Sequence, residues 1–334
     1  MRSHCRSRRG WVSHEGYAGS DGYGSESAAT EMARLARLGV EWIALSPYGF
    51  MEDPHAPEIL FPRGERQSPG AENDAAVLET ARAAHRLGLK VMLKPQIWLH
   101  DGHWTGDIAM EDETTWRVFF DRYREFLAHY ALLAAAGDME ILVVGVEMQR
   151  TTTRQKEWRA LIGSARELYG GPLTYAANWG GEFETLGFWE ALDYVGLDCY
   201  YPLSDAADAD DERLLAGARE VSRRIGDVSR RAGRAVILTE AGFPALASSW
   251  TAPHDDRTGA PLDPKAQARG YRALLTAIWG KPWLAGIYWW KWPSAPEGSR
   301  RDPIFSPRSR PAQDVLTRWY SQPRPAAAHW PARP

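Results

Sequence analysis

The stretches EILVVGVE, Glu140 to Glu147, and AVILTE, Ala235 to Glu240, decide how this chain folds. Each is a short run of Val, Ile and Leu bounded by polar residues or Gly, the pattern of a strand buried on both faces. Each closes on a glutamate. A carboxylate at the last position of such a strand escapes the core only by pointing into a pocket at the strand's end, where α/β folds keep their chemistry. Simple alternation places Ile141, Val143, Gly145 and Glu147 on one face of the first run, and Val236, Leu238 and Glu240 on one face of the second. If those faces line the interior, Glu147 and Glu240 stand together at its mouth. Two such carboxyls suit acid/base work on a glycosidic bond: one protonates the leaving oxygen while the other attacks or stabilises the anomeric carbon.

Outward from these runs, short apolar segments alternate with longer ones of helical spacing, which argues βα units and a parallel sheet. Strands are expected near Trp11, Ile43, Met92, Val144, Tyr175, Val195, Ile237 and Ile287. Three helical stripes lie between them: Trp116 to Tyr130 starting after Thr115, Ala75 to His85 ending at Leu87-Gly88, and Leu214 to Val228 ending before Gly233. Eight strands with intervening helices close most economically as a (β/α)8 TIM barrel in one domain spanning 8–321. A doubly wound open sheet is the alternative, weakened because no Gly-rich dinucleotide fingerprint follows the first strand. The Pro-rich tail, 322–334, is expected to be disordered. Two long connections, Tyr48 to Asn73 and Gly242 to Asp263, would both emerge on the active-site face of a barrel.

Composition narrows the partners. The 334 residues carry 40 Lys and Arg against 43 Asp and Glu, so neither nucleic acid nor an anionic membrane is an expected partner. No apolar run has the length of a membrane span. The 16 Trp are unusual, and aromatic faces either pack or hold the flat apolar patches of hydroxyl-covered ligands. Cys5 and Cys199 read as unpaired, and the basic opening MRSHCRSRRGW has no apolar stretch after it. The chain as written is therefore expected in the cytoplasm, or secreted if a leader precedes the present start.

The strings ALSPYGF, VMLKPQIW, HWTGDI, LTYAANW, FWEALDYVGLDCYYPL, ILTEAGF and YWWKW, in this order, resemble glycoside hydrolase family 113, a (β/α)8 group in the retaining clan that includes β-mannanases. The resemblance runs from about Gly10 to Tyr320. It implies an acid/base glutamate at the end of the fourth strand, matching Glu147, and a nucleophile at the end of the seventh, matching Glu240. It further implies that Tyr200 or its rival Tyr201 bonds the nucleophile, and that Lys94 and Gln96 bind sugar. Asn178 suits sugar hydroxyls or, equally, local backbone groups. In YWWKW, alternation groups Tyr288, Trp290 and Trp292 against Trp289 and Lys291, and Trp290 is the favoured floor of a sugar site. Trp98 and Trp104 would extend the cleft as stacking platforms or pin their loop.

The expected function is a retaining glycoside hydrolase on β-linked, β-1,4 glycans such as mannan or a related polysaccharide, with no cofactor and no metal. One departure stands out: the clan places Asn before the acid/base glutamate to bond the sugar 2-hydroxyl, and here that position is Val146. The HxH of barrel metallohydrolases is missing at His14, and no GxSxG elbow or Walker loop occurs. The competing reading is a non-catalytic barrel that keeps a sugar-binding cleft.

Overall fold

The computed structural model describes residues 8–14 by backbone alone, together with 21–62, 73–297 and 303–322. The described residues hold ten strands: β1 (Arg8–His14), β2 (Trp42–Leu45), β3 (Tyr48–Met51), β4 (Lys90–Leu93), β5 (Gln96–Leu99), β6 (Ile141–Val146), β7 (Leu173–Asn178), β8 (Val195–Cys199), β9 (Val236–Ala241) and β10 (Leu284–Pro293). Strands β1, β2, β4, β6, β7, β8, β9 and β10 pair in that order, all parallel, and β10 closes on β1. These are the expected eight. The open-sheet alternative is excluded by the closure. The additional pair, β3 and β5, forms a two-stranded parallel sheet.

The α-helices of the described residues are α1 (Glu26–Arg37), α2 (Asp74–Arg86), α3 (Glu113–Ala136), α4 (Gln155–Leu168), α5 (Glu182–Thr185), α6 (Asp211–Ala232), α7 (Pro264–Ile278) and α8 (Pro311–Tyr320). Their ends follow local chemistry. Helix α3 starts before Thr115, because the Asp112 side chain accepts from the Thr114 and Thr115 amides in a capping box. Helix α6 stops at Gly233, whose left-handed φ of 61° suits a residue without Cβ. The α3 stripe buries Trp116, Phe119, Phe120, Tyr123, Phe126 and Tyr130 against the barrel wall. Each such ring contributes about 1.5–3 kcal/mol by leaving water.

Neither long connection is structureless. In the first, Leu60 bridges Phe50 of β3, while 63–72 lie outside the described residues; in the second, Leu246 bridges Leu262. Of the tail, 323–334 also lie outside the description.

The core is split by the barrel wall. Trp42, Ala44, Met92, Ile141, Val143 and Ile237 pack together inside, and Leu142, Val144, Val236 and Leu238 pack outward with the helices. Past Val143 in β6, and past Leu238 in β9, simple alternation fails. The β6–β7 register shifts between Val143 and Val146, so Val146 returns to the inner cluster, while Gly145 lies against the outer aromatics. A Cβ on Gly145 would sit 2.5 Å from the Trp158 ring and 2.8 Å from that of Tyr175, which is why α4 needs glycine there. In β9, Leu197 pairs with Leu238 but Asp198 with Glu240, leaving Thr239 as the extra residue of a bulge. The bulges aim Glu147 and Glu240 at the mouth, by a route that alternation does not give.

Candidate active site

A cleft of about 640 Å³ opens over the C-terminal ends of the barrel strands. Glu147, Glu240, Gln96, Trp104, Asn178, Tyr200 and Trp290 line it. Glu240 is the penultimate residue of β9 and is held from two sides. Its Oε1 accepts from the Lys94 ammonium, and its Oε2 accepts from the Tyr200 hydroxyl at 2.7 Å. Both bonds fix the direction in which the carboxylate points. The choice between adjacent tyrosines is thereby made: Tyr201 packs in the outer layer and donates to the Glu184 carboxylate.

Glu147 sits just past β6 with φ of 51°, a left-handed conformation that non-glycine residues adopt only when their surroundings enforce it. Its amide bonds the Ala176 carbonyl at 2.8 Å, and its Oε2 accepts from the Trp104 indole N–H at 2.8 Å. Burial and the nearby charge of Glu240 push its carboxyl up to about 7, against the opposing pull of the Trp104 bond and the Lys94 ammonium. A carboxyl with that value holds its proton in mildly acidic solution and can release it near neutrality.

Lys94 requires a correction. It is fully buried at the end of β4, bonded to Glu240 and 3.3 Å from Asp198 Oδ2, so it is not a sugar ligand. Burial works against its charge, but Asp198, Glu240 and Glu147 outweigh that and hold its pKa above the ordinary value. It therefore also cannot stand in for the asparagine that Val146 replaces. Val146 itself lines the cleft.

The remaining expectations divide. Gln96 lines the cleft, and its buried Nε2 has no hydrogen-bond partner among the described residues. Asn178 uses its backbone amide on Glu182 at 2.7 Å and borders the cleft. Trp290 is half-buried at the cleft with the Lys94 ammonium 5.9 Å from its ring, while Trp292 leaves the expected face and donates to Glu31 in the outer layer. The pairing of β10 with β1 shifts between Trp289 and Trp292, which ends the alternation there. Trp98 is 54% exposed, edge-on to Tyr48 at 5.9 Å. Trp104 acts on Glu147 as well as bordering the cleft, more than a pinned loop.

The sequence profile of Glycoside Hydrolase Family 113 matches residues 10–302. The chain belongs to this family. Among solved structures, the family 113 β-mannanase from Alicyclobacillus acidocaldarius is 29% identical, with a TM-score of 0.82 over 95% of this chain and 97% of that one. A family 113 β-1,4-mannanase is 26% identical, with a TM-score of 0.79 over 96% of this chain and 100% of the other. A GH5_18 protein from Bifidobacterium longum subsp. infantis, at 15% identity and a TM-score of 0.64 over 96% of this chain and 80% of its own, shares the fold alone. No curated protein matches the sequence.

Two residues of this family 113 glycoside hydrolase were not singled out from its sequence. Asp198 is buried in β8, accepts from Thr239 at 2.7 Å and faces Lys94. Burial and the charge of Glu240 raise its pKa well above the usual carboxylate range, opposed by Lys94. It carries the same signal as the two glutamates, a carboxylate near the end of a buried strand. Glu182, in α5, is also buried, and only its partners reveal it. Among the described residues, no group of three or more His, Cys, Asp or Glu is arranged to hold a metal ion.

Proposed function

We propose that this glycoside hydrolase cleaves β-1,4-linked mannan or a closely related β-glycan with retention of configuration. The observation that carries this reading is the unequal treatment of two carboxyls at one cleft: Glu147 is pushed up to about 7, while Glu240 lies between the Lys94 ammonium and the Tyr200 hydroxyl. Environments that separate two carboxyls in this way assign an acid and a nucleophile. The β-mannanase and β-1,4-mannanase neighbours support the substrate class.

In the first step a Glu240 oxygen forms a bond to the anomeric carbon as the glycosidic C–O bond breaks, and Glu147 gives its proton to the leaving oxygen. In the second, Glu147, now ionised, takes a proton from water; the water oxygen bonds the anomeric carbon and Glu240 leaves. Tyr200 and Lys94 orient the nucleophile through the first step. Trp290 supports the sugar face beside Glu240, and Gln96 and Asn178 offer amides to its hydroxyls. Trp98, held by Tyr48, stacks a neighbouring sugar.

The test is incubation with β-1,4-mannan and defined mannooligosaccharides, with reducing ends counted and the first-formed anomer read by NMR. Release of the β-anomer first supports the proposal. Binding without release of reducing ends would make the chain a carbohydrate-binding barrel, and the α-anomer first would make it an inverting enzyme.

A further inference from the structure

The left-handed Glu147 is held by a chain of contacts that begins outside the cleft. The amide of the next residue, Met148, donates to the Tyr175 hydroxyl at 2.7 Å, and that hydroxyl donates to Glu182 Oε1 at 2.6 Å. The other oxygen of the same carboxylate, Oε2, accepts from the Asn178 amide at 2.7 Å. Glu182 thus ties the end of β7 to the residue that follows the acid/base position on β6. The chain is rigid. Trp158 and Phe188 pack edge-on to the Tyr175 ring at 5.2 and 5.7 Å, and Met148 is fixed from its carbonyl side by Thr151 Oγ1 at 2.7 Å.

An αL conformation at a non-glycine residue is strained and persists only where the surroundings over-determine it. Here two consecutive amides do so, Glu147 N–H on Ala176 O and Met148 N–H on Tyr175. The bond count shows why position 182 needs a carboxylate. Tyr175 already accepts from Met148, so its own proton needs an acceptor, and the Asn178 amide needs a second one. Burial pushes the Glu182 carboxyl up to about 7, and in its ionised form above that value both oxygens accept, whereas a glutamine amide supplies one acceptor and one donor.

We infer that Glu182, acting through Tyr175, is a positioning residue that holds Glu147 in the conformation from which it delivers its proton. The inference rests on the acid/base reading of Glu147. Loss of the brace should misplace the proton donor without touching the nucleophile, and Tyr175→Phe does so with the Asn178 amide still bonded to Glu182.

The experiment compares Glu182→Gln and Tyr175→Phe with the parent and with Glu147→Ala, each checked for a cooperative melt. Substrates are a mannoside with a dinitrophenyl leaving group, which departs without protonation, and mannooligosaccharides, whose leaving alcohol needs it. General acid catalysis contributes about 10²–10⁴-fold, and partial misplacement should forfeit about tenfold of it on oligosaccharides. That loss should fall on kcat, leave KM within about twofold, and leave kcat/KM on the dinitrophenyl substrate within about twofold. Equal losses on both substrates, or none on either in a folded variant, would overturn the positioning role. Should Glu147→Ala itself show no leaving-group contrast, the acid/base reading fails instead, so the two failures are distinguishable. If Glu182→Gln does not fold, Tyr175→Phe, which removes a single hydroxyl, carries the same comparison.

Discussion

Replacing Lys94 with methionine keeps an unbranched apolar stem and removes the charge. In the parent the ammonium is fully buried, bonded to Glu240 and 3.3 Å from Asp198. Without it two carboxyls face each other in the interior. Removing one partner of a buried ion pair costs about 3–5 kcal/mol, because the remaining charge is left uncompensated. The cost must depend on pH. Asp198 is already raised by burial and by the charge of Glu240, and Lys94 is what opposes that rise. Its loss lifts the folded-state value further above the unfolded one, about 3.9 for Asp. A carboxyl raised in this way contributes its stability below the unfolded value and loses it as pH climbs through the folded value. Lys94, held above its own ordinary value, stays charged across the whole mildly acidic to mildly alkaline range. The penalty should therefore reach about 3–5 kcal/mol near pH 8 and be smaller near pH 5. Urea unfolding of parent and Lys94→Met at both pH values, followed by tryptophan fluorescence, measures it. A penalty under about 1 kcal/mol, or one unchanged between the two pH values, refutes the account of the buried lysine.

Two further outcomes follow from the same geometry. Because Glu147 must carry its proton into the first step, kcat/KM should fall on the alkaline side with an apparent pKa of about 7, a limb that a rate profile across neutral pH reveals and that Glu147→Gln should abolish. Tyr200→Phe removes the hydroxyl that donates to Glu240 at 2.7 Å. A bond to a charged group is worth about 1.5–3 kcal/mol, so kcat should drop about 10- to 160-fold in steady-state assays, and a change under about twofold would remove Tyr200 from the mechanism.

Much of the barrel was legible in the sequence because strands buried on both faces must be apolar throughout, and helices packed on a wall must repeat their apolar stripe. Glu147 and Glu240 were legible for the same reason, as charged residues closing runs that admit none. The route by which they reach the cleft was not. A bulge leaves no mark in an apolar run, so nothing in VILTE shows that Thr239 is the extra residue, and nothing in VVGVE shows that Glu147 turns left-handed. The role of Lys94 was hidden because its partners Asp198 and Glu240 lie 104 and 146 residues away. A separation of 43 residues hides the Trp104 bond to Glu147 in the same way. Asp198 could have been found, since DYVGLD ends a buried strand on a carboxylate just as the two chosen runs do. Glu182 could not, because its meaning lies in the hydroxyl of Tyr175 and the amide of Met148.

The central claim is that Glu240 forms a covalent bond to the sugar while Glu147 serves as acid and then base. Glu147→Ala given an activated aryl β-mannoside and azide tests it most directly. Azide needs no general base, so it should attack the glycosyl-enzyme, restore turnover and leave a β-mannosyl azide identifiable by NMR, while Glu240→Ala under the same conditions should make none of it. An α-mannosyl azide from the Glu147 variant, or a β-azide that still forms when Glu240 is removed, would contradict the assignment.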